Sequence, residues 1–153
     1  MLGQMKYYNA DIVFQEVPDE ISLAVNITNC PNDCIGCHSM YLHEDVGIVL
    51  TDNEVDKMLK PYIGSITCFC IMGGDACRKE VEHVANYVKT KYRLKVAWYS
   101  GQYRMPDNIS SFDYIKLGPY IKEKGGLRSK NTNQLFFQID NGTAIDITHV
   151  FWK

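Results

Sequence analysis

Ile66-Thr67-Cys68-Phe69-Cys70-Ile71-Met72, closed by Gly73-Gly74-Asp75, is the stretch on which the reading of the fold turns. It is nearly continuous in apolar residues and does not alternate. That is the pattern of a strand covered on both faces, as in a parallel sheet. Upstream, Thr51-Asp52-Asn53-Glu54 has the form of a capping box. Val55, Met58, Leu59 and Tyr62 follow it at helical spacing, and Gly64 closes that helix. Further upstream, Ile21-Ser22-Leu23-Ala24-Val25-Asn26-Ile27 alternates as a strand does. Pro18-Asp19-Glu20 is a turn, and Asp11-Ile12-Val13-Phe14 is a short strand. Downstream, Val81, Val84, Ala85 and Val88 form one stripe of a helix over residues 79–91. Leu94-Lys95-Val96-Ala97-Trp98-Tyr99 and Phe112-Asp113-Tyr114-Ile115-Lys116-Leu117 read as two more strands, ended by Ser100-Gly101 and Gly118-Pro119. Strands alternating with helices predict an α/β fold built on a parallel sheet.

The last part of the chain breaks this rhythm. Leu135-Phe136-Phe137-Gln138-Ile139 and Thr143-Ala144-Ile145-Asp146-Ile147-Thr148 flank Asp140-Asn141-Gly142. Asn-Gly between two such runs predicts an antiparallel hairpin, expected at an edge of the sheet. Residues 122–133 before it are polar and glycine-bearing, which reads as a loop. No repeat or low-complexity segment divides the 153 residues, so a single domain over 1–153 is expected.

The composition narrows the classes of function. A net charge of −2 lacks the basic excess of a nucleic-acid-binding domain. No apolar run approaches the ~20 residues that span a bilayer. Met1-Leu2-Gly3-Gln4-Met5-Lys6-Tyr7-Tyr8 has no apolar core of a secretory signal. A cytoplasmic protein with reduced thiols is therefore expected, binding neither membrane nor nucleic acid. In that setting, six cysteines favour metal binding or catalysis over disulfides.

Three of the six are packed together. The strand over residues 21–27 runs into Cys30-Pro31-Asn32-Asp33-Cys34-Ile35-Gly36-Cys37-His38. The cysteine loop thus follows the C-terminal end of a strand, where open α/β sheets and barrels hold their ligands. Three thiolates at this spacing suit a [4Fe–4S] cube with one iron left open, since such cubes otherwise take four cysteines. A zinc site completed by His38 or His43 is the alternative. Cys68 and Cys70 share a strand face. With Cys77 they form either a second metal site or, more simply, buried apolar packing.

Taken together, these segments resemble a known family. Cys-x3-Cys-x2-Cys after a first strand, with Gly-Gly-Asp after a later one, resembles the radical S-adenosylmethionine superfamily. Several further segments resemble, as a set and in order, the activating protein of anaerobic (class III) ribonucleoside-triphosphate reductase. They are Cys37-His38, Ala97-Trp98-Tyr99-Ser100-Gly101, the stretch from Asp113 to Ile121, and Leu127-Arg128 through Asn133-Gln134. The resemblance spans residues 12–146. It implies a partial, open (β/α) barrel of the radical S-adenosylmethionine type, here with the C-terminal β-hairpin. It also implies an activity. S-adenosylmethionine binds the open iron and is cleaved by one electron, and the resulting 5′-deoxyadenosyl radical takes a hydrogen atom from a glycine of the reductase. The implied partners are the large reductase subunit and a one-electron donor such as a flavodoxin or ferredoxin.

On this resemblance Cys30, Cys34 and Cys37 are the cluster ligands. Gly36, Cys37 and His38 line the adenine, and Gly73, Gly74 and Asp75 receive the methionine end of the cofactor. Asp75-Ala76 stands where the family more often has Glu-Pro, a carboxylate shorter by one C–C bond. The shorter carboxylate is expected to hold the ligand's ammonium less directly or through water, and the alternative is a plain strand-to-helix turn with Asp75 as its N-cap. Ser100 reads as a bond to the ribose or carboxylate, or simply as a turn residue. Lys116, Lys122, Lys124, Arg128 and Lys130 form either a docking face for the reductase or a solvated loop. Another radical S-adenosylmethionine enzyme acting on a small molecule is the alternative function within that superfamily. A non-enzymatic iron–sulfur or zinc module is the alternative outside it.

Overall fold

The computed structural model describes residues 5–28 and 47–152. The stretch that decides the fold forms β4 (Cys68–Met72), and its first four residues are buried. It lies between β2 (Ser22–Ile27) and β5 (Lys95–Tyr99), parallel to both, and β5 pairs in parallel with β6 (Tyr114–Leu117). The register aligns Asn26, Met72 and Tyr99, and Tyr99 in turn pairs with Lys116. The four parallel strands therefore end together along one edge of the sheet.

Antiparallel strands extend this parallel centre on both sides. β1 (Lys6–Val13) pairs with β2, and the short β3 (Ile48–Val49) pairs with β1. β7 (Leu135–Asp140) pairs with β6, and β8 (Thr143–Asp146) with β7. The result is one open, mixed sheet of eight strands in the order β3-β1-β2-β4-β5-β6-β7-β8. The expected hairpin is present at the edge, turning at Asn141 and Gly142, both of which take positive φ.

One face of the sheet carries the helices. Leu23, Val25, Ile27, Phe69, Ile71, Val96, Trp98 and Ile115 point to it and join α1 (Asp52–Leu59) and α2 (Arg78–Tyr92) in the main core. The α2 stripe of Val81, Val84, Ala85 and Val88 is buried as its spacing predicts, each larger side chain contributing roughly 1.5–3 kcal/mol. Trp98 is fully buried and stacks on Phe112 at 5.6 Å. Thr51 caps α1, its side chain accepting from the Glu54 N–H at 3.1 Å. The reciprocal half of the box does not form, because Glu54 instead accepts a hydrogen bond from Tyr7 at 2.9 Å. The helix also ends earlier than its spacing predicts. Pro61 lacks the N–H that would continue the ladder, and residues 60–62 tighten into a 3-10 turn.

The opposite face is covered by loops. Its centre is small: Ala24, Cys70 and Ala97 align across three strands. Tyr114 and Phe136 continue this face on the neighbouring strands, and with Val17 and Leu127 from the loops they form a second buried cluster. Tyr99 reaches across this face to donate to the Glu16 carbonyl, and Arg128 donates to the Gln15 side chain at 2.6 Å. At the far end from the strand carboxyl termini, Glu20 is buried and accepts from Lys95 and Tyr114, each at 2.9 Å. Burial pushes the Glu20 pKa up. Hydrogen bonds from Thr67, Lys95 and Tyr114 outweigh that and hold it below the ordinary glutamate value.

Candidate functional site

Three of the four parallel strands deliver expected site residues to the same edge. β2 ends at Ile27, and Thr28 is held by its N–H to the Lys6 carbonyl at 3.0 Å. The cysteine loop follows, and Cys30, Cys34, Gly36, Cys37 and His38 lie outside the described residues. Next to Ile27, β4 ends in Gly73 and Gly74, with φ of 100° and 95°. Only glycine takes this backbone without strain. Close packing adds a second requirement, since a Cβ on Gly74 would meet Val81 Cγ2 at 2.5 Å. Gly73 donates to the Tyr99 carbonyl at 2.9 Å and accepts from Trp98 Nε1 at 2.7 Å. The glycine turn is thereby tied to β5 on both sides.

Asp75 is the first residue of a 3-10 turn (Asp75–Cys77) that leads into α2, and it does not cap that helix. Its side chain is 0% exposed. Oδ1 accepts from Ser100 Oγ at 2.5 Å and from Arg78 Nη1 at 3.2 Å, and Oδ2 accepts from the Gly101 N–H at 2.9 Å. The carboxylate joins the turns that follow β4 and β5 to the start of α2. Ser100 is likewise fully buried and spends its hydroxyl proton on Asp75, while its Oγ accepts from the Gln102 N–H at 3.1 Å.

Protein-family models, curated proteins and solved structures contain no match to this chain.

Two residues that the sequence alone does not assign to this site complete the edge. Arg78, only 14% exposed, donates to Asp75, to Gln102 Oε1 at 3.2 Å and to the Arg104 carbonyl at 2.6 Å. Its guanidinium lies 4.7 Å from the Trp98 ring centroid, over the residue that also holds Gly73. Burial lowers its pKa, against the raising effect of Asp75. The spacing from Asp75 to Arg78 is the i,i+3 step of an ion pair, and that is the signal by which the sequence marks it. The second residue is Lys116, which the sequence groups with the basic loop. It is buried instead, donating to the carbonyls of Ser100 at 3.1 Å and Gly118 at 2.8 Å. It ties β6 to β5 as Asp75 ties β5 to β4.

Lys116 also lines an open cavity of about 700 Å³ on the loop face, with Tyr99, Glu16, Arg128 and Gln134. That volume lies within the range of small-molecule sites, about 300–1,000 Å³.

The remaining cysteines separate by face. Cys68 and Cys70 sit in the loop-face cluster, whereas Cys77 packs on the helix-face core, so the three do not form a second metal site. Among the described residues, no group of three His, Cys, Asp or Glu side chains could hold a metal ion. Desolvation pushes the Cys68 thiol up to about 12 and Cys70 well above its ordinary value, the nearby charge of Cys68 adding to the latter. Both behave as small apolar side chains. Iodoacetamide at pH 8 is expected to leave both unmodified in the folded protein and to alkylate both in 6 M guanidinium. Peptide mapping by mass spectrometry reads the difference, and rapid native labelling of either would contradict their burial.

Proposed function

We propose that this chain is a glycyl-radical-generating activase of the radical S-adenosylmethionine type, serving an anaerobic ribonucleoside-triphosphate reductase in the cytoplasm. The observation that supports it most is the convergence at one sheet edge. The strand that enters the Cys30-Cys34-Cys37 loop ends beside Gly73-Gly74-Asp75, and the next strand over ends in Ser100. On this reading the sheet is the open part of a (β/α) barrel, with the ligand edge at its strand carboxyl ends.

The donor set fits a [4Fe–4S] cluster. Cys30, Cys34 and Cys37 offer three thiolates, and Cys68 and Cys70 are unsuited to be a fourth because burial keeps them protonated. Cys70 aligns with Ala24, four residues before Thr28, or about 13 Å along the strand from where the loop begins. Bound here, the cluster and S-adenosylmethionine supply one-electron cleavage of the sulfonium S–C5′ bond. The chain's own residues position and enclose. Gly73 and Gly74 give a backbone surface that a ligand can approach closely, and Asp75, Arg78 and Lys116 keep the three strand ends in register. Tyr99, Phe136 and Leu127 line an apolar interior on the loop face. The partner's change is the loss of one hydrogen atom from a glycine, with a flavodoxin or ferredoxin as the electron source.

Anaerobic reconstitution with ferrous iron and sulfide tests this. Four irons per chain, 5′-deoxyadenosine formed under dithionite, and a glycyl-radical EPR signal in the added reductase subunit are expected. One zinc per chain and no 5′-deoxyadenosine would refute it.

A further inference from the structure

The positive charge of this chain is unevenly neutralised. Among the described residues, Lys57, Arg78, Lys89, Lys91, Lys95 and Arg104 each form an ion pair with a carboxylate, whereas Lys60, Lys79 and Arg93, which form none, are scattered singly along the sequence. None of them lies in the connection between β6 and β7, residues 118–134. That connection carries Lys122, Lys124, Arg128 and Lys130, all exposed, against the single carboxylate of Glu123. Its length exceeds the ~12–15 residues beyond which unstructured connections are uncommon and usually functional.

The connection is not a loose tether. Lys124 and Gly125 donate to the Ile121 carbonyl at 2.9 and 2.8 Å, Ser129 donates to Gly126 at 3.0 Å, and Thr132 donates to Ser129 at 3.1 Å. Trp152 Nε1 donates to the Leu127 carbonyl at 2.9 Å, pinning the segment to the end of the chain. Its backbone is therefore fixed, which sets where its cations leave the chain, on a protein whose net charge is −2. The same segment borders a cavity: Gly126, Leu127 and Arg128 line the 700 Å³ space on the loop face, together with the buried Lys116, while Lys122, Lys124 and Lys130 lie along the chain on either side of that lining. Glu16 is the one carboxylate among the described residues lining that cavity.

We propose that the 118–134 connection is a docking surface for an acidic, extended polypeptide segment that leads into the loop-face cavity. Charge complementarity identifies the occupant. An unneutralised cationic strip steers an anionic chain and holds its register, while the cavity takes the residue between the flanking carboxylates. The inference deepens the activase reading, since it states the chemistry of the polypeptide that reading requires. Its test needs neither iron nor S-adenosylmethionine, so failure of one does not entail failure of the other.

The measurement is fluorescence anisotropy of a labelled dodecapeptide of alternating Glu and Gly, titrated with the full chain. Its Gln-Gly counterpart and an oligothymidylate of twelve residues are run in parallel. The Glu peptide is expected to bind at least tenfold more tightly than the Gln peptide and to weaken at least tenfold between 50 and 300 mM salt. The triple variant Lys122→Glu, Lys124→Glu, Lys130→Glu is expected to lose about tenfold or more. A control triple, Lys57→Glu, Lys60→Glu, Lys79→Glu, makes the same change in net charge on the helix face and is expected to lose less than threefold. Surface changes of this kind leave folding nearly intact, which a thermal melt verifies. Equal losses in the two triples would overturn the proposal, as would equal binding of the Gln peptide. Tighter binding of the oligothymidylate, lost in the first triple, would overturn it in favour of a phosphate polymer.

Discussion

Cys34→Ala is expected to abolish formation of 5′-deoxyadenosine while leaving the protein folded. Residues that merely support metal ligands cost about 10–100-fold when removed, and loss of a ligand itself should exceed that range. The sheet does not depend on the cysteine loop for its pairing: β2 is held by residues 68–72 of β4 on one side and by β1 on the other. The melting temperature and far-UV circular dichroism of the apo variant should therefore match those of the apo parent, while iron retained after reconstitution falls. Cys77→Ala provides the contrast. Cys77 stands at the same edge, its N–H bonded to the Gly74 carbonyl at 2.9 Å, and its side chain packs against the helix-face core. If three thiolates hold the cluster, Cys77→Ala keeps four irons and cleavage activity. Retained activity in Cys34→Ala, or lost iron in Cys77→Ala, would mean that the ligand set is misassigned.

The parts of the fold legible in the sequence are those where burial leaves one physical solution. β4 reads directly because both its faces are covered, so nearly every position is apolar. α2 reads directly because only one stripe is buried. β1 extends to Lys6, well before the strand expected from Asp11, because Tyr7, Tyr8 and Asn9 sit on a half-buried flanking strand whose pattern is weak. β3, with two residues, carries no pattern at all. The sheet also proves mixed on both sides of its parallel centre: β7 and β8 are the expected antiparallel hairpin, whereas nothing in the sequence marks β1 and β3 as antiparallel on the other side. The candidate site divides in the same way. Gly73-Gly74 announces a positive-φ turn from composition alone. The partners of Asp75 do not, because Ser100 and Gly101 meet it only once β4 and β5 are paired. The sequence therefore offers Asp75 as a ligand group, and only strand pairing shows that it also clamps the turns after β4 and β5. Lys116 reads as part of a basic loop for the same reason, although pairing of β5 with β6 buries it under two carbonyls.

Asp75→Ala is expected to destabilise the fold by about 3–5 kcal/mol, the cost of breaking a buried ion pair by removing one partner. The change leaves Arg78 without its carboxylate, and leaves Ser100 Oγ–H and the Gly101 N–H without their acceptor. A domain of ordinary stability, about 5–15 kcal/mol, still folds after such a loss, so urea denaturation can measure it. Adding Arg78→Met should restore part of the stability, because the stranded cation disappears while the side-chain packing on Trp98 is kept. A loss below about 1 kcal/mol in Asp75→Ala would show that the carboxylate is not the clamp that its contacts describe. Ligand binding separates the clamp from a direct contact. If Asp75 touches the ammonium of S-adenosylmethionine itself, Asp75→Asn weakens binding and Ser100→Ala leaves it unchanged. If Asp75 acts by holding the Gly73–Gly74 turn against β5, both substitutions weaken binding together, and both lower the melting temperature. The 2.5 Å bond between Ser100 and Asp75 favours the second outcome, because it places the hydroxyl inside the clamp and leaves it no proton to donate to a ligand.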